Sequence, residues 1–88
     1  SGHTARYAMN QVYQAILDHR LALVFVNTRM QAELVFQELW RLNEKNLPIG
    51  LHHGSLDAQR RRKVEAAMAA GELRAVVATS TLDLGIDW

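Results

Sequence analysis

Leu21-Ala22-Leu23-Val24-Phe25-Val26-Asn27-Thr28 runs six apolar residues without alternation and then stops on two polar ones. An unbroken apolar run of this length suits a strand covered on both faces, the situation of strands in a parallel sheet. Such a strand needs helices before and after it, and the flanking sequence supplies them. From Ala5 to His19, Tyr7, Val12, Tyr13, Ile16 and Leu17 leave an apolar stripe of helical period. After the stop, Met30 to Asn43 places Leu34, Val35, Phe36, Leu39, Trp40 and Leu42 on a broad apolar face. Thr28 with Gln31 three residues on fits a capping box, in which the hydroxyl accepts an orphan N–H and the amide reaches back. Asn43 to Asn46 is polar, and Pro48 keeps the helix from resuming.

Further out the pattern repeats. Pro48-Ile49-Gly50-Leu51-His52-His53 reads as a second strand, less apolar than the first, and Gly54 breaks it. Ser55 or Asp57 can cap a helix from Ala58 to Ala70 that buries Val64, Ala67 and Met68. Gly71 is placed to stop that helix, and Leu73 to Ala78 makes a third strand. Two successive strand-helix-strand units imply right-handed crossovers. The expectation is an α/β fold: a three-layer sandwich on a short parallel sheet. Phe25, Phe36 and Trp40 are expected in its core, whereas Trp88 follows a polar loop and is free to cover a ligand or a neighbour.

Composition narrows the class. At 88 residues, 49% hydrophobic and 22% charged, the chain is an ordinary globular domain or a piece of a larger one. A chain of this size buries about 60–65% of its unfolded surface, so its core is thin. The absence of cysteine excludes a disulfide framework, a thiolate metal site and a cysteine nucleophile. A net charge of +1 is modest for a dedicated DNA-binding module. No apolar run approaches the ~18 residues of a membrane span, and no leader is visible, so a cytoplasmic location with no membrane contact is expected. Ser1-Gly2-His3 reads as a tag remnant, leaving 4–88 as the domain.

Three loops follow the three strands: Asn27-Thr28-Arg29, His53-Gly54-Ser55 and Thr79-Ser80-Thr81. In a parallel sheet they share one edge, where ligands of open α/β sheets bind. Two of them open onto a helix N-terminus, whose N–H groups favour an anion. Small hydroxyls and glycine admit a phosphate, and Arg29 adds a bidentate donor. The same hydroxyls and Asn27 also serve as plain caps, and the pattern leaves both readings open. His52 and His53 are adjacent, so on a strand they point to opposite faces and make no chelating pair. The run Arg60-Arg61-Arg62-Lys63 wraps a full helical turn, with Arg61 and Glu65 spaced for an i,i+4 pair. Asp83 and Asp87 flank Gly85 without a third ligand, so no metal site is expected. There is no Gly-x-x-x-x-Gly-Lys-Ser/Thr phosphate loop and no Asp-Glu pair after a strand.

These segments resemble the second RecA-like domain of superfamily 2 DEAD/DExH-box helicases. Leu23 to Arg29 is similar to motif IV, Leu51-His52-His53-Gly54-Ser55-Leu56 to the His-Gly motif that follows, and Val76 to Trp88 to motif V. The match covers nearly all of residues 20–88, with three motifs in order at fitting spacing. The version Thr79 to Trp88, with Ala32-Glu33-Leu34-Val35-Phe36 upstream, resembles the large helicase-related group and its DNA-ligase-associated members.

By position, the resemblance implies that Asn27, Thr28 and Arg29 contact phosphates of the tracking strand. Gly54 and Ser55 would hold the next phosphate, with Thr79 and Ser80 beyond. Asp83, Gly85 and Asp87 would face the inter-domain ATP cleft and couple nucleotide state to grip. Met30 stands where many relatives carry a second basic residue, which implies a weaker grip there. Motif VI and the first RecA-like domain, with the phosphate loop, lie outside these residues. The resemblance therefore implies a fragment of an ATP-dependent DNA helicase or translocase, truncated before motif VI. The parent would use ATP and Mg2+; the fragment alone would bind neither and be inactive. Expected partners are DNA through its backbone, the first RecA-like domain, and a second copy through an unpaired sheet edge. The alternative is a non-catalytic nucleic-acid or protein interaction module that keeps the fold.

Overall fold

The computed structural model of the chain describes residues 2–79, with side chains from residue 9 onward. Its elements are α1 (Gly2–Asp18), β1 (Ala22–Val26), α2 (Arg29–Leu42), β2 (Ile49–His52), α3 (Ala58–Ala69) and β3 (Ala75–Thr79). Each expected element is present in the expected order, with ends displaced by a few residues. Thr79 belongs to β3 rather than to the loop after it.

All pairings are parallel, and the strand order is β1-β3-β2. The last strand therefore fills the gap between the first two. Every residue of β3 is buried. Ala75 and Val77 face α1 and α2, where Ile16, Ala32, Leu39 and Ile49 complete the larger core. Val76 and Ala78 face the other way, onto Met68 with Val64 and Leu73 around it. The three layers are thus α1 with α2, the sheet, and α3.

Backbone chemistry explains where elements stop. α3 ends in a full Schellman motif. Gly71 adopts φ +73°, its N–H donates to the Met68 carbonyl at 3.1 Å, and the Glu72 N–H donates to Ala67 at 2.9 Å. The C-terminus of α1 is closed from a distance: Arg74 Nη2 donates to the carbonyls of Ile16 (3.0 Å), Leu17 (3.3 Å) and His19 (3.1 Å). The same residue's N–H reaches Pro48 at 2.8 Å, and its carbonyl accepts from Ala22 at 2.9 Å. Arg74 so ties the starts of all three strands to the end of α1.

Two expectations about burial are corrected. β1 was expected to be covered on both faces, yet among the described residues it pairs on one side only, with β3, and Phe25 is 55% exposed. Phe25 shares the sheet face of Leu21 and Leu23, where α3 lies against β2 instead. On α2 the buried stripe is narrower than the apolar one. Ala32, Val35, Phe36 and Leu39 meet the sheet and α1, while Leu34 and Trp40 remain exposed. Trp40 rests edge-on against Phe36, with centroids 6.4 Å apart.

Leu39→Ala should lower unfolding free energy by about 2–5 kcal/mol through a cavity between α2 and the sheet. Leu34→Ala should change it by less than about 0.5 kcal/mol. Urea titrations check both through a shift of midpoint at constant slope.

Candidate nucleic-acid interface

The three strands end together. Val26 lies beside Thr79 and His52 beside Ala78, so the carboxyl ends of the strands line one edge of the sheet in the order β1, β3, β2. Thr79 is buried at the end of β3. Asn27, Thr28, Arg29, Gly54 and Ser55 are all exposed. Ser80, Asp83, Gly85 and Asp87, with Trp88, lie outside the described residues.

The first loop is built by its cap. Thr28 is extended (φ −131°, ψ 157°) and its Oγ1 accepts from the Gln31 N–H at 3.1 Å. Gln31 reaches back as expected, but to the Asn27 N–H, at 3.1 Å, one residue before the cap. This fixes the polar turn between β1 and α2 and leaves the N–H groups of Arg29 and Met30 outside the helix's own ladder.

The second loop is held differently. Asp57, not Ser55, caps α3, its Oδ1 accepting from the Arg60 N–H at 2.8 Å. That carboxylate already occupies the positive end of α3, which corrects the expectation that this helix N-terminus would itself draw an anion. Ser55 is turned to the first loop: Arg29 Nη1 donates to its Oγ at 2.7 Å. The bond spans 26 residues of sequence and joins the loops that leave the two outer strands. Its acceptor is neutral. Among the described residues no carboxylate lies within ion-pair distance of Arg29, so its charge remains uncommitted.

Buried histidines anchor this loop from below. His52 and His53 point to opposite faces, as their adjacency requires. His52 Nε2 lies 2.8 Å from Glu65 Oε2 on α3, so Glu65 does not make the expected pair with Arg61. His53 Nδ1 accepts from the Ser55 N–H at 3.2 Å. A neutral His53 ring then carries its proton on Nε2, which faces Glu33 Oε2 on α2 at 3.2 Å but off the line a hydrogen bond needs. Between α2 and this loop opens a cleft of about 500 Å³ lined by Arg29, Met30, Glu33 and Leu34 on one side and by His53, Ser55, Leu56 and Arg60 on the other.

The structure thus brings Arg29 and Ser55 into contact, with Asn27, Thr28 and Gly54 beside them in the same two loops. Sequence reasoning gave Glu33 no role of its own and read Glu65 only as a helix-surface partner of Arg61. Their signal was a carboxylate on each helix flanking a strand that ends in two histidines.

A parallel sheet of this order with polar loops on the carboxyl edge is an α/β arrangement shared with RecA-like helicase domains. The chain belongs to the helicase conserved C-terminal domain family, which matches residues 7–88. "ATP-dependent helicase Lhr-Core protein 2" of Thermococcus barophilus is 43% identical over 75 residues, 84% of this chain. A structure of Mycobacterium smegmatis helicase Lhr, bound to ssDNA and AMP-PNP, superposes with a TM-score of 0.82 at 35% identity over 91% of the chain. A Saccharomyces cerevisiae Dbp5 variant bound to Gle1 shares the fold, with a TM-score of 0.72 at 19% identity over 96% of the chain. The chain spans 9% of the Thermococcus protein, 11% of the Mycobacterium chain and 21% of the yeast chain. The resemblance to superfamily 2 helicases, and to the large helicase-related group among them, agrees with these relatives.

Thr28→Ala and Asp57→Ala should each cost about 1 kcal/mol by removing a cap, with amide exchange accelerated at Gln31 and Arg60 respectively. Ser55→Ala, at an exposed hydroxyl that caps nothing, should leave stability within about 0.5 kcal/mol. Hydrogen exchange with urea unfolding checks all three.

Proposed function

We propose that the chain forms part of an ATP-dependent helicase or translocase acting on DNA, and that its loop edge grips the sugar-phosphate backbone of one strand. The observation that carries this reading is Arg29, an exposed guanidinium whose acceptor is the neutral Ser55 hydroxyl. A guanidinium so placed offers its remaining N–H donors to a phosphate in bidentate geometry. Asn27 and Thr28 stand beside it, and Gly54 and Ser55 receive the following phosphate. Thr79 and Ser80 serve the third position between them. Contacts of this kind position a strand without reading its bases, so little sequence preference is expected. The Mycobacterium relative solved with ssDNA supports nucleic acid as the ligand class.

The same proposal assigns Asp83, Gly85 and Asp87 to the nucleotide cleft, shared with a first RecA-like domain. Among the described residues no three His, Cys, Asp or Glu side chains gather to hold a metal ion. The ATP and Mg2+ that the activity requires would be bound in that shared cleft. What the described residues contribute is grip: two loops bridged by Arg29 and Ser55 present their donors side by side. A cytoplasmic location and pairing of two copies through an outer strand, β1 or β2, complete the proposal. Unpaired strand edges favour such association.

In the intact protein, Arg29→Ala should weaken single-stranded DNA binding about tenfold, the scale of one charged hydrogen-bonded contact. The slope of log K against log salt should fall in magnitude by about 0.7, one phosphate's share on a single strand. Fluorescence anisotropy across a salt series measures both. Unchanged affinity and slope would remove the assignment and favour the interaction-module alternative. The isolated 88-residue chain should not hydrolyse ATP above background, and sustained turnover by a pure sample would contradict the division of labour.

A further inference from the structure

Beside the phosphate grip lies an apolar surface that the proposed function does not use. Met30 is 70% and Leu34 60% exposed. They stand four residues apart on α2, so they share one face, and both line the cleft next to Arg29 and Ser55. A single exposed apolar residue needs no explanation. Two in one cleft, bordered by a guanidinium with uncommitted charge, present an amphipathic site: a cation at one end and an apolar shelf along the side.

The chemistry of the remaining wall orients the ligand. Glu33 projects from α2 between Met30 and Leu34 in sequence, and its carboxylate repels a phosphate while accepting N–H donors. The ring of His53, 2% exposed, stands behind it with a buried Nε2 that has no hydrogen-bond partner. Glu33 thereby turns an anion from the α2 side toward Arg29, Ser55 and Arg60, which lines the same cleft, and the side of α2 is left to an uncharged, flat, partly apolar group with N–H donors. We infer that the cleft seats one nucleotide of the bound strand, its phosphate on Arg29 and its base packed on Met30 and Leu34. This rests on the reading of the loop edge as a strand-binding surface and adds to it a base-contacting shelf. Base packing on apolar side chains is tolerant of sequence, because every base has a flat face. The shelf detects that a base is present rather than which base it is.

The test compares two labelled strands of equal length and equal phosphate number, one carrying bases and one built of abasic sites, against the intact protein by anisotropy. The double variant Met30→Ala/Leu34→Ala should bind the base-bearing strand about five- to tenfold more weakly, on the scale of two partly buried apolar side chains. Its affinity for the abasic strand and its salt slope should match the unsubstituted protein. Met30→Leu should retain affinity for the base-bearing strand, and Met30→Gln should lose part of it. Equal losses on both strands, or none on either, would overturn the shelf. Arg29→Ala separates the two readings: it should weaken both strands and reduce the slope. A normal slope in Arg29→Ala sinks the phosphate grip, whereas a strand-independent effect of Met30→Ala/Leu34→Ala sinks only the shelf. Both side chains are exposed, so the variants should melt with the unsubstituted protein, and Met30→Gln alone suffices if the double variant is lost to aggregation.

Discussion

β3 pairs with β1 on one side and β2 on the other, and β1 and β2 do not touch. Every backbone ladder in the described sheet therefore runs through five residues, Ala75–Thr79, that are buried on both faces and both edges. That position demands small or β-branched side chains able to pack under helices from two directions, and Ala-Val-Val-Ala-Thr supplies them. It also dictates where chemistry can occur. With its interior sealed, the strand offers only its ends, and its carboxyl end emerges between the two loops that carry Arg29 and Ser55.

Two arginines divide the labour of the two sheet edges. Arg74, at the amino edge, spends its guanidinium on three carbonyls at the end of α1 and its backbone on Pro48 and Ala22. Its charge is absorbed by a helix C-terminus, where a cation is favoured, and its role is architectural. Arg29, at the carboxyl edge, meets one hydroxyl. The same side chain becomes a fastener or a ligand donor according to how many acceptors the fold has already aimed at it.

Much of this was legible in the sequence because it is local. The element order follows from apolar period, the cap at Thr28 from its spacing to Gln31, and the stop at Gly71 from the need for a positive φ. The opposite orientation of His52 and His53 follows from the pleat. What was not legible is non-local. Nothing in Leu21–Val26 announces that Phe25 is exposed, because the run is as apolar as that of a strand covered on both faces; the exposure comes from α3 lying against β2 instead. Likewise Ser55 has the composition of a cap, and only the distance to Arg29 across 26 residues shows that it serves the neighbouring loop. Asp57 two residues later took the capping role because a carboxylate suits the positive end of α3. On α2, an apolar face wider than the surface available to receive it left Leu34 uncovered, and a residue expected in the core became part of the candidate site.

The order β1-β3-β2 also has a temporal meaning. The strand that joins the other two is the last of them to be translated, so the growing chain carries two strands that cannot satisfy each other until the third arrives. Helices α1, α2 and α3 can form as local structures in that interval, but no ladder of the described sheet can close. The contacts that define the sheet are then all long in sequence, which slows folding relative to local pairing, and the apolar faces of β1 and β2 stay open to chaperones and to other chains meanwhile. Packing of α1 and α2 on one another and on β1 and β2 can precede the ladder, but until Ala75 to Thr79 emerge the described sheet has no centre.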